Sequence, residues 1–394
     1  MQQIYDVVIV GAGASGLMAA AVATSHGASV LILEMGEKPA RKVMASGGGR
    51  CNITNMAAAY NRYFGNNPNF VRGALCRVTP SDIIQWAHKH NLNLVEKDAG
   101  QYFCADGAAA VVDALLQDIK GTDIEYNTCV SSITKKDGTF HITTDIKTFY
   151  SQSVVVATGG TSFGALGVSD IGYKIAKSFG HKIVPVRPGL CAIAVSGFSS
   201  ELAGISLPVE IIIGKNKICD SLLFTHFGIG GPAAYRASLY DIKDGFVINL
   251  TPGIDIFNIM RDAKRTNGRK EVSSILAQYM PMRVAKWIMG DDNRRIADIK
   301  DSELKNIAER ISRWYINANQ IKYHGMSSAE VVRGGVDTND ISSKTMESKL
   351  CSGLFFAGEV LDIAGDLGGF NLQWAWASGR VAGENAAKTQ RIDT

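Results

Sequence analysis

A chain of 394 residues is too long for one small module and points to two or three domains. With 46% hydrophobic and 20% charged residues it can bury a sizeable core, which excludes a disordered chain. A net charge of +4 is too mild to indicate nucleic acid by itself, so no nucleic-acid partner is expected from composition. The seven cysteines (Cys51, Cys76, Cys104, Cys129, Cys191, Cys219, Cys351) form no CxxC and no zinc spacing. Free thiols in a reducing cytoplasm account for them, and no metal is expected. There is no leader-like start and no apolar run of membrane-span length. The expectation is a cytoplasmic protein without a membrane partner.

In chain order, Ile4-Tyr5-Asp6-Val7-Val8-Ile9-Val10 suits a strand buried on both faces. Gly11-Ala12-Gly13-Ala14-Ser15-Gly16 follows at once. Leu17 to Ser25 reads as a small-residue helix closed by Gly27, and Ala28 to Leu33 as a second strand ended by Glu34. In such a unit Gly11 permits the tight turn, Gly13 lets backbone approach a pyrophosphate, and Gly16 lets the helix pack on the sheet. The helix N-terminus turns its free N–H groups toward the phosphates. Glu34, eighteen residues past Gly16, can accept from both ribose hydroxyls and would repel a 2′-phosphate. That favours FAD or NAD. Ala14 and Ser15 join the expected cofactor contacts by their place in the turn.

Pro39 to Asn55 is polar, basic and glycine-rich, with no helical or strand period, and reads as a loop. Gly47, Gly48 and Gly49 are costly to order and suit backbone lying against a flat or charged ligand. Lys42 and Arg50 can neutralise phosphates, while Ser46, Asn52 and Thr54 supply hydrogen bonds. Cys51 has no second cysteine at redox-pair spacing, which argues against a disulfide-reductase mechanism. A helix follows from Pro80 to about His90, opened by Thr79. Ala99 to Ala105 looks like a hairpin or strand segment, and Ala108 to Ile119 like another helix. Asp123 to Val130, Ile133 to Lys135 and Thr139 to Thr144 look like a small antiparallel meander, and Val130 is an expected cofactor contact. Ser153 to Gly160 is a buried strand ending in a glycine pair. In a doubly wound sheet its end lies beside the first glycine turn, which adds Ala157, Thr158, Gly159 and Gly160.

Pro185 and Pro188 mark a change of texture. Leu190 to Val195, Val209 to Ile213, Asp220 to Phe224 and Phe246 to Leu250 read as strands of a β-rich insert. Asp255 to Ala318 reads as helical. From Arg261 to Arg313, 13 Lys/Arg against 8 Asp/Glu leave an excess of +5. That excess fits a solvated helical face or, as the second reading, a polyanion-binding patch. Gly228 to Ala233 loosely mimics a second dinucleotide turn, but no acid ends the following strand, so no separate NAD domain is expected. His226 is a candidate proton donor or a structural histidine. His324-Gly325 and Arg333 to Asp337 line the site or form turns.

Ser352 to Glu359 returns to buried-strand texture. Gly365 to Phe370 is a second glycine turn, and Asn371 to Ala387 a helix. Gly358-Glu359 can offer its acid to the ribityl chain of a flavin. The helix beginning near Gly369, Phe370, Asn371 and Leu372 would aim its N–H groups at the flavin N1–C2=O edge, which becomes anionic on reduction. NAD has neither group, so two glycine units flanking one site favour FAD. Trp374 and Trp376 read as core.

Gly11 to Gly16, Ser46 to Asn55, Phe224 to Pro232, Gly334 to Asp337, Thr345 to Lys349, and Gly358 through Trp374 together resemble the BaiN/YhiN family of FAD-dependent oxidoreductases. The resemblance spans nearly the whole chain. It implies an α/β fold, a two-dinucleotide-binding-domain flavoprotein with a β-barrel-like insert and a small helical part. On this chain that gives an FAD-binding domain at 1–186 and 345–394. It gives an insert at 187–254 and 321–344, and a helical subdomain at 255–320. The resemblance also implies non-covalent FAD reduced by NADH or NADPH. Some members are assigned to reducing C=C bonds of oxo-bile-acid intermediates. The chain departs from the family at Gly230, where serine is common, and at Phe103-Cys104, where Phe-Pro is common. The expected activity is hydride transfer from NAD(P)H through flavin to an electron-poor alkene of a small molecule. Arg50 and His226 are the candidate catalytic residues. The alternatives are a flavoenzyme acting on nucleic acid and a non-catalytic flavin-binding redox sensor.

Overall fold

β1 (Ile4–Val10) is the centre of the first sheet. It pairs in parallel with β2 (Val30–Leu33) on one side and with Thr148–Val156 on the other. Thr148–Val156 in turn pairs in parallel with Leu354–Phe356, and β2 with Asp123–Glu125. Val7 to Ile9, Leu31, Ile32 and Val154 to Val156 are fully buried, as strands covered on both faces require. The register sets Val10 beside Leu33 and Val156, and Val156 beside Phe356. The carboxyl ends of these strands therefore share one sheet edge, where doubly wound folds bind ligands. The protein is described here by a computed structural model covering residues 3–164, 167–323 and 325–388. These fall into two units, one within Met1–Arg187 and Glu330–Thr394, the other within Pro188–Ala329.

In the first unit, α1 (Ala14–Ser25) follows the glycine turn and packs against the closing helix, Phe370–Lys388. Side-chain-free positions make this possible. A Cβ on Gly16 would lie 1.9 Å from the Gly11 carbonyl oxygen. On the closing helix, a Cβ on Gly379 would lie 2.4 Å from the Ser15 oxygen, and one on Gly383 2.2 Å from the Ala19 oxygen. The last two glycines are four apart, on one helix face, so the two helix backbones touch along a line.

Two local expectations are corrected. Asp123–Glu125 does not belong to the meander but extends the parallel sheet beside β2. The strand breaks at Asn127, which has φ +51°, because the Asn127 and Thr128 N–H groups donate to the Gly36 and Glu34 carbonyls. Val130–Lys136 and Thr139–Thr144 do form the antiparallel extension. The stretch expected to be a loop, 39–55, instead holds a short helix (Arg41–Ala45), a tight turn (Ser46–Gly49) and a strand (Asn52–Asn55). That strand exists through pairing with Gln101–Cys104, a partner too distant to leave a local period.

The second unit is built on a seven-stranded, largely antiparallel sheet. Its order is Trp314–Ile316, Phe246–Asn249, Ser206–Ile213, Asn216–Phe224, Gly228–Gly230, Ile193–Val195 and Ile321–Tyr323. Helices Ile256–Thr266, Val272–Leu276, Met282–Met289 and Asp301–Ser312 share its core through Met260, Leu276, Val284 and Leu304. Helix stops at Ser312 rather than near Ala318, because Trp314–Ile316 joins the sheet edge beside Phe246–Ile248. A Cβ on Gly228 would lie 2.3 Å from the Ile193 oxygen, so this glycine lets Gly228–Gly230 pair closely with Ile193–Val195. The chain re-enters the first unit at Glu330, inside the stretch 321–344 that the resemblance assigns to the insert. A Cβ on Gly334 would lie 2.2 Å from the Pro185 oxygen, which shows how closely this segment packs there.

These positions separate two kinds of glycine. Gly16→Ala is expected to destabilise the protein by about 3 kcal/mol or more, since the clash is with backbone. Gly13 has φ −80° and nothing within 4 Å of its added Cβ, so Gly13→Ala is expected to cost within about 1 kcal/mol. Thermal unfolding of the two variants checks this, and equal destabilisation would contradict it.

Candidate functional site

The shared strand edge gathers the first glycine turn, the end of β2 and the segments after Val156 and Phe356. Ala157 N–H donates to the Val10 carbonyl and Ala357 N–H to the Val156 carbonyl, so the strand ends stay laddered. Gly11, at φ +104°, sits where a Cβ would lie 2.6 Å from the Ala157 oxygen. Gly13 is the N-cap of α1, with no side-chain cap and no acid in the helix's first turn. Its open face and the uncapped helix start leave a place for an anion. Ala14 is half-buried. Ser15 is buried and reaches across to the Ala357 carbonyl at 3.4 Å. Gly358 packs on Ser15, its added Cβ falling 2.5 Å from the hydroxyl.

Glu34 is 7% exposed at the end of β2. One carboxylate oxygen accepts the Ala12 N–H at 2.8 Å, the other the Gly36 N–H at 2.8 Å. Arg41 stands 3.5 Å away. Each oxygen keeps acceptor capacity for a hydroxyl donor. The Thr128 N–H bond to the Glu34 carbonyl brings the buried Val130 strand start to this side. On the other side, the Thr158 hydroxyl is buried with no hydrogen-bond partner among the described residues. Gly159, at φ +71°, has nothing within 4 Å of an added Cβ, whereas Gly160 packs on Val332 and Glu359.

Lys42 and Glu359 were expected at a phosphate and a ribityl chain. The structure joins them to each other across 317 residues: Lys42 Nζ donates to Glu359 Oε2 at 2.6 Å. Lys42 also donates to Ser162 Oγ at 2.7 Å, and Glu359 Oε1 accepts the Val332 N–H at 2.9 Å. Burial raises the nearby Glu330 carboxyl, with Lys42 opposing the shift. Ser162, Arg41 and Glu330 were not read from the sequence, since an isolated serine, arginine or glutamate carries no local signal.

The two glycine-rich motifs also meet. Thr54 donates to Gln373 at 2.6 Å, Asn55 to the Gly368 carbonyl at 2.7 Å, and the Trp376 indole to the Ile53 carbonyl at 2.9 Å. Asn52 and Gln101 lie against Gly369 and Gly368. The Trp374 indole donates to the Gly358 carbonyl, and both tryptophans are core at 1% exposure. Asn371 clamps the turn by accepting the Gly365 N–H and donating to its carbonyl. Phe370 is buried under Arg62, whose guanidinium lies 4.9 Å from the ring centre. Leu372 is half-buried at the helix start, and the first turn of that helix has no acid. Asp362 is buried, accepts the Asn66 and Gly334 N–H groups, and has its carboxyl raised by burial.

Gly47, Gly48 and Gly49 all have positive φ, with open space at Gly48 and Gly49. Ser46 donates to the Val43 carbonyl at 2.7 Å. Exposed Arg50 lies 5.8 Å from the Phe103 ring centre, and Lys97 lies 4.5 Å from it. His226 belongs to the second unit, on an exposed turn between Asn216–Phe224 and Gly228–Gly230. His324 lies outside the described residues. Cys51 does have a cysteine neighbour, invisible in spacing: Cys104 N–H donates to the Cys51 carbonyl across the strand pair. Both are buried free thiols. Burial pushes the Cys51 thiol up to about 12, against a hydrogen bond from Ser46.

The open Gly13 face, the uncapped start of α1 and the receptive Glu34 carboxylate fit a dinucleotide with a free ribose. Fold and site together define a Rossmann-type dinucleotide-binding oxidoreductase. The match of residues 5–385 to the HI0933-like protein Rossmann domain extends this to the family level: the chain belongs to this family of flavin-dependent oxidoreductases. A ribosomal RNA dihydrouridine synthase of Escherichia coli strain K12 is 36% identical over 390 residues, covering 95% of this chain and 96% of that protein. The protein of the same name from Haemophilus influenzae is 37% identical, covering 96% and 97%. A 3-dehydro-bile acid delta(4,6)-reductase of Clostridium scindens is 29% identical, covering 96% and 98%. Among solved structures, a mutant quinol fumarate reductase of Escherichia coli aligns with a TM-score of 0.50 at 16% identity. It covers 100% of this chain and 72% of that one, a likeness of fold alone. Among the described residues no helix is long and apolar enough to cross a membrane, and no cluster of three His, Cys, Asp or Glu could hold a metal.

Two outcomes follow from burial. Iodoacetamide at neutral pH should label exposed Cys76, Cys129 and Cys219 while Cys51 and Cys104 react only on unfolding. Peptide mapping would reveal early Cys51 labelling, which would refute a buried thiol. Glu330 holds a proton in the folded chain at a pH where the unfolded chain has released it. Its contribution to stability therefore falls as pH rises above the ordinary glutamate value. Glu330→Gln should raise the thermal midpoint at pH 7 and leave it nearly unchanged at pH 4; the opposite pH trend would overturn the assignment.

Proposed function

We propose that this chain is an FAD-dependent reductase that adds two hydrogens across the C5=C6 bond of a uridine in ribosomal RNA, with NADH or NADPH as electron donor. One observation carries the proposal: relatives named for this reaction are 36% and 37% identical along nearly the whole length. It takes the nucleic-acid alternative over the expectation drawn from net charge, because RNA contacts need local cations rather than a strongly basic chain.

The chemistry agrees with the enone expectation. Uracil C5=C6 is conjugated to the C4 carbonyl, so C6 accepts hydride and C5 then takes a proton, giving the 5,6-dihydro base. Bound FAD would supply the two-electron hydride chemistry. The Gly13 backbone and the start of α1 would hold its pyrophosphate, and Glu34 the adenosine ribose. The start of the closing helix, without acids in its first turn, would favour the negative charge of the reduced ring. Lys42, paired with Glu359 and Ser162, would fix the ribityl side. Arg50 and Lys97 on the Phe103 ring present a cationic aromatic surface suited to an unstacked base and its phosphate.

The Clostridium scindens relative supports a second reading, reduction of a small-molecule enone by the same chemistry. One experiment separates the two. The purified flavoprotein is incubated anaerobically with NADH or NADPH and either ribosomal RNA from a strain lacking this gene or a steroid enone. The proposal expects dihydrouridine in nucleoside mass spectra of the RNA. Unchanged RNA with a consumed enone would replace the proposal with the second reading.

A further inference from the structure

We infer that the first unit carries a phosphate-binding cleft, separate from the dinucleotide turn, between Asn67–Phe70 and Thr338–Lys349. The cleft has a volume of 370 Å³, room for a phosphate and part of an attached sugar. Its wall includes Thr338, which is 2% exposed and whose hydroxyl has no hydrogen-bond partner among the described residues. A buried hydroxyl left unpaired is costly, and a bound oxyanion would satisfy it. Asn67, Ser342, Lys344 and Lys349 line the same space.

Charge separates an anion from other ligands. Both ionisable side chains on the lining are lysines, and among the described residues no carboxylate lines it. The carboxylates of this segment have partners of their own. Asp337 accepts the Asn339 N–H, Glu347 accepts the Gly353 N–H, and Asp340 acts on His181. Lys349 Nζ gives one hydrogen to the Asn339 carbonyl at 2.7 Å and keeps two donors. Lys344 is exposed at the rim, and its side chain has no partner among the described residues. Ammonium, hydroxyl and amide donors around a space without acids are the chemistry that recognises a phosphate. The Thr345 to Lys349 motif, which the dinucleotide site does not use, thereby acquires a role.

The phosphate belongs either to a free nucleotide or to an RNA backbone. Only the RNA source rests on the reading proposed above. The FAD-loaded enzyme is titrated calorimetrically at low salt with inorganic phosphate, uridine monophosphate and an oligouridylate, so that the glycine turn is already filled. Thr338→Val, which replaces the hydroxyl by a methyl of similar size, should leave the thermal midpoint equal or higher and weaken binding at least tenfold. Lys344→Glu, at an exposed position, should weaken it similarly. Binding of phosphate and monophosphate supports a nucleotide source, and binding of the oligonucleotide alone supports a backbone source. Absence of binding by all three, or affinities unchanged in both variants, overturns the inference. Phosphate binding here with unreduced ribosomal RNA would sink only the earlier proposal, and reduced RNA with no anion binding would sink only this one.

Discussion

The contact on which the first unit depends is the approach of α1 to its two neighbours without intervening side chains. Gly16 lets the helix descend onto the Gly11 carbonyl, and Gly379 and Gly383 let the closing helix lie on its other side. Any methyl at these places meets a backbone oxygen. Because backbone cannot retreat as a side chain can, the geometry is stiff. That stiffness holds the start of α1, the end of β2 and the Gly358 turn at one sheet edge.

The candidate site is then assembled by long-range polar contacts over this frame. Lys42 to Glu359, Thr54 to Gln373 and Asn55 to Gly368 each join segments more than 300 residues apart in the chain. The insertion between 188 and 329 separates the two halves of the motif set in sequence without separating them in space. The half-buried Glu330 carboxyl near Lys42 and the buried Asp362 carboxyl are costly to ionise. Such groups collect where a structure retains ionisable side chains for a purpose other than stability.

Legibility followed the range of the physics. The strand, glycine turn, helix and acid of the first 34 residues were readable because each is a local preference, and all four agree. The last helix and the core place of Trp374 and Trp376 were readable for the same reason. The strand Asn52–Asn55 was not, since its partner Gln101–Cys104 lies some fifty residues away. The parallel place of Asp123–Glu125 is not legible because three residues cannot declare whether their neighbour runs parallel or antiparallel.

The sequence by itself determined the dinucleotide turn, the family and the two-part arrangement of the flavin motifs, because these reside in spacing and residue type along the chain. Only the tertiary structure decided that Lys42 is answered by Glu359, that Cys51 lies across from Cys104, and that Thr338 lines a lysine-rimmed cleft with its hydroxyl unpaired among the described residues. Those facts depend on which distant segments the close-packed helices bring together. Coulomb attraction, burial and hydrogen-bond satisfaction act through space and leave no period in the chain that encodes them.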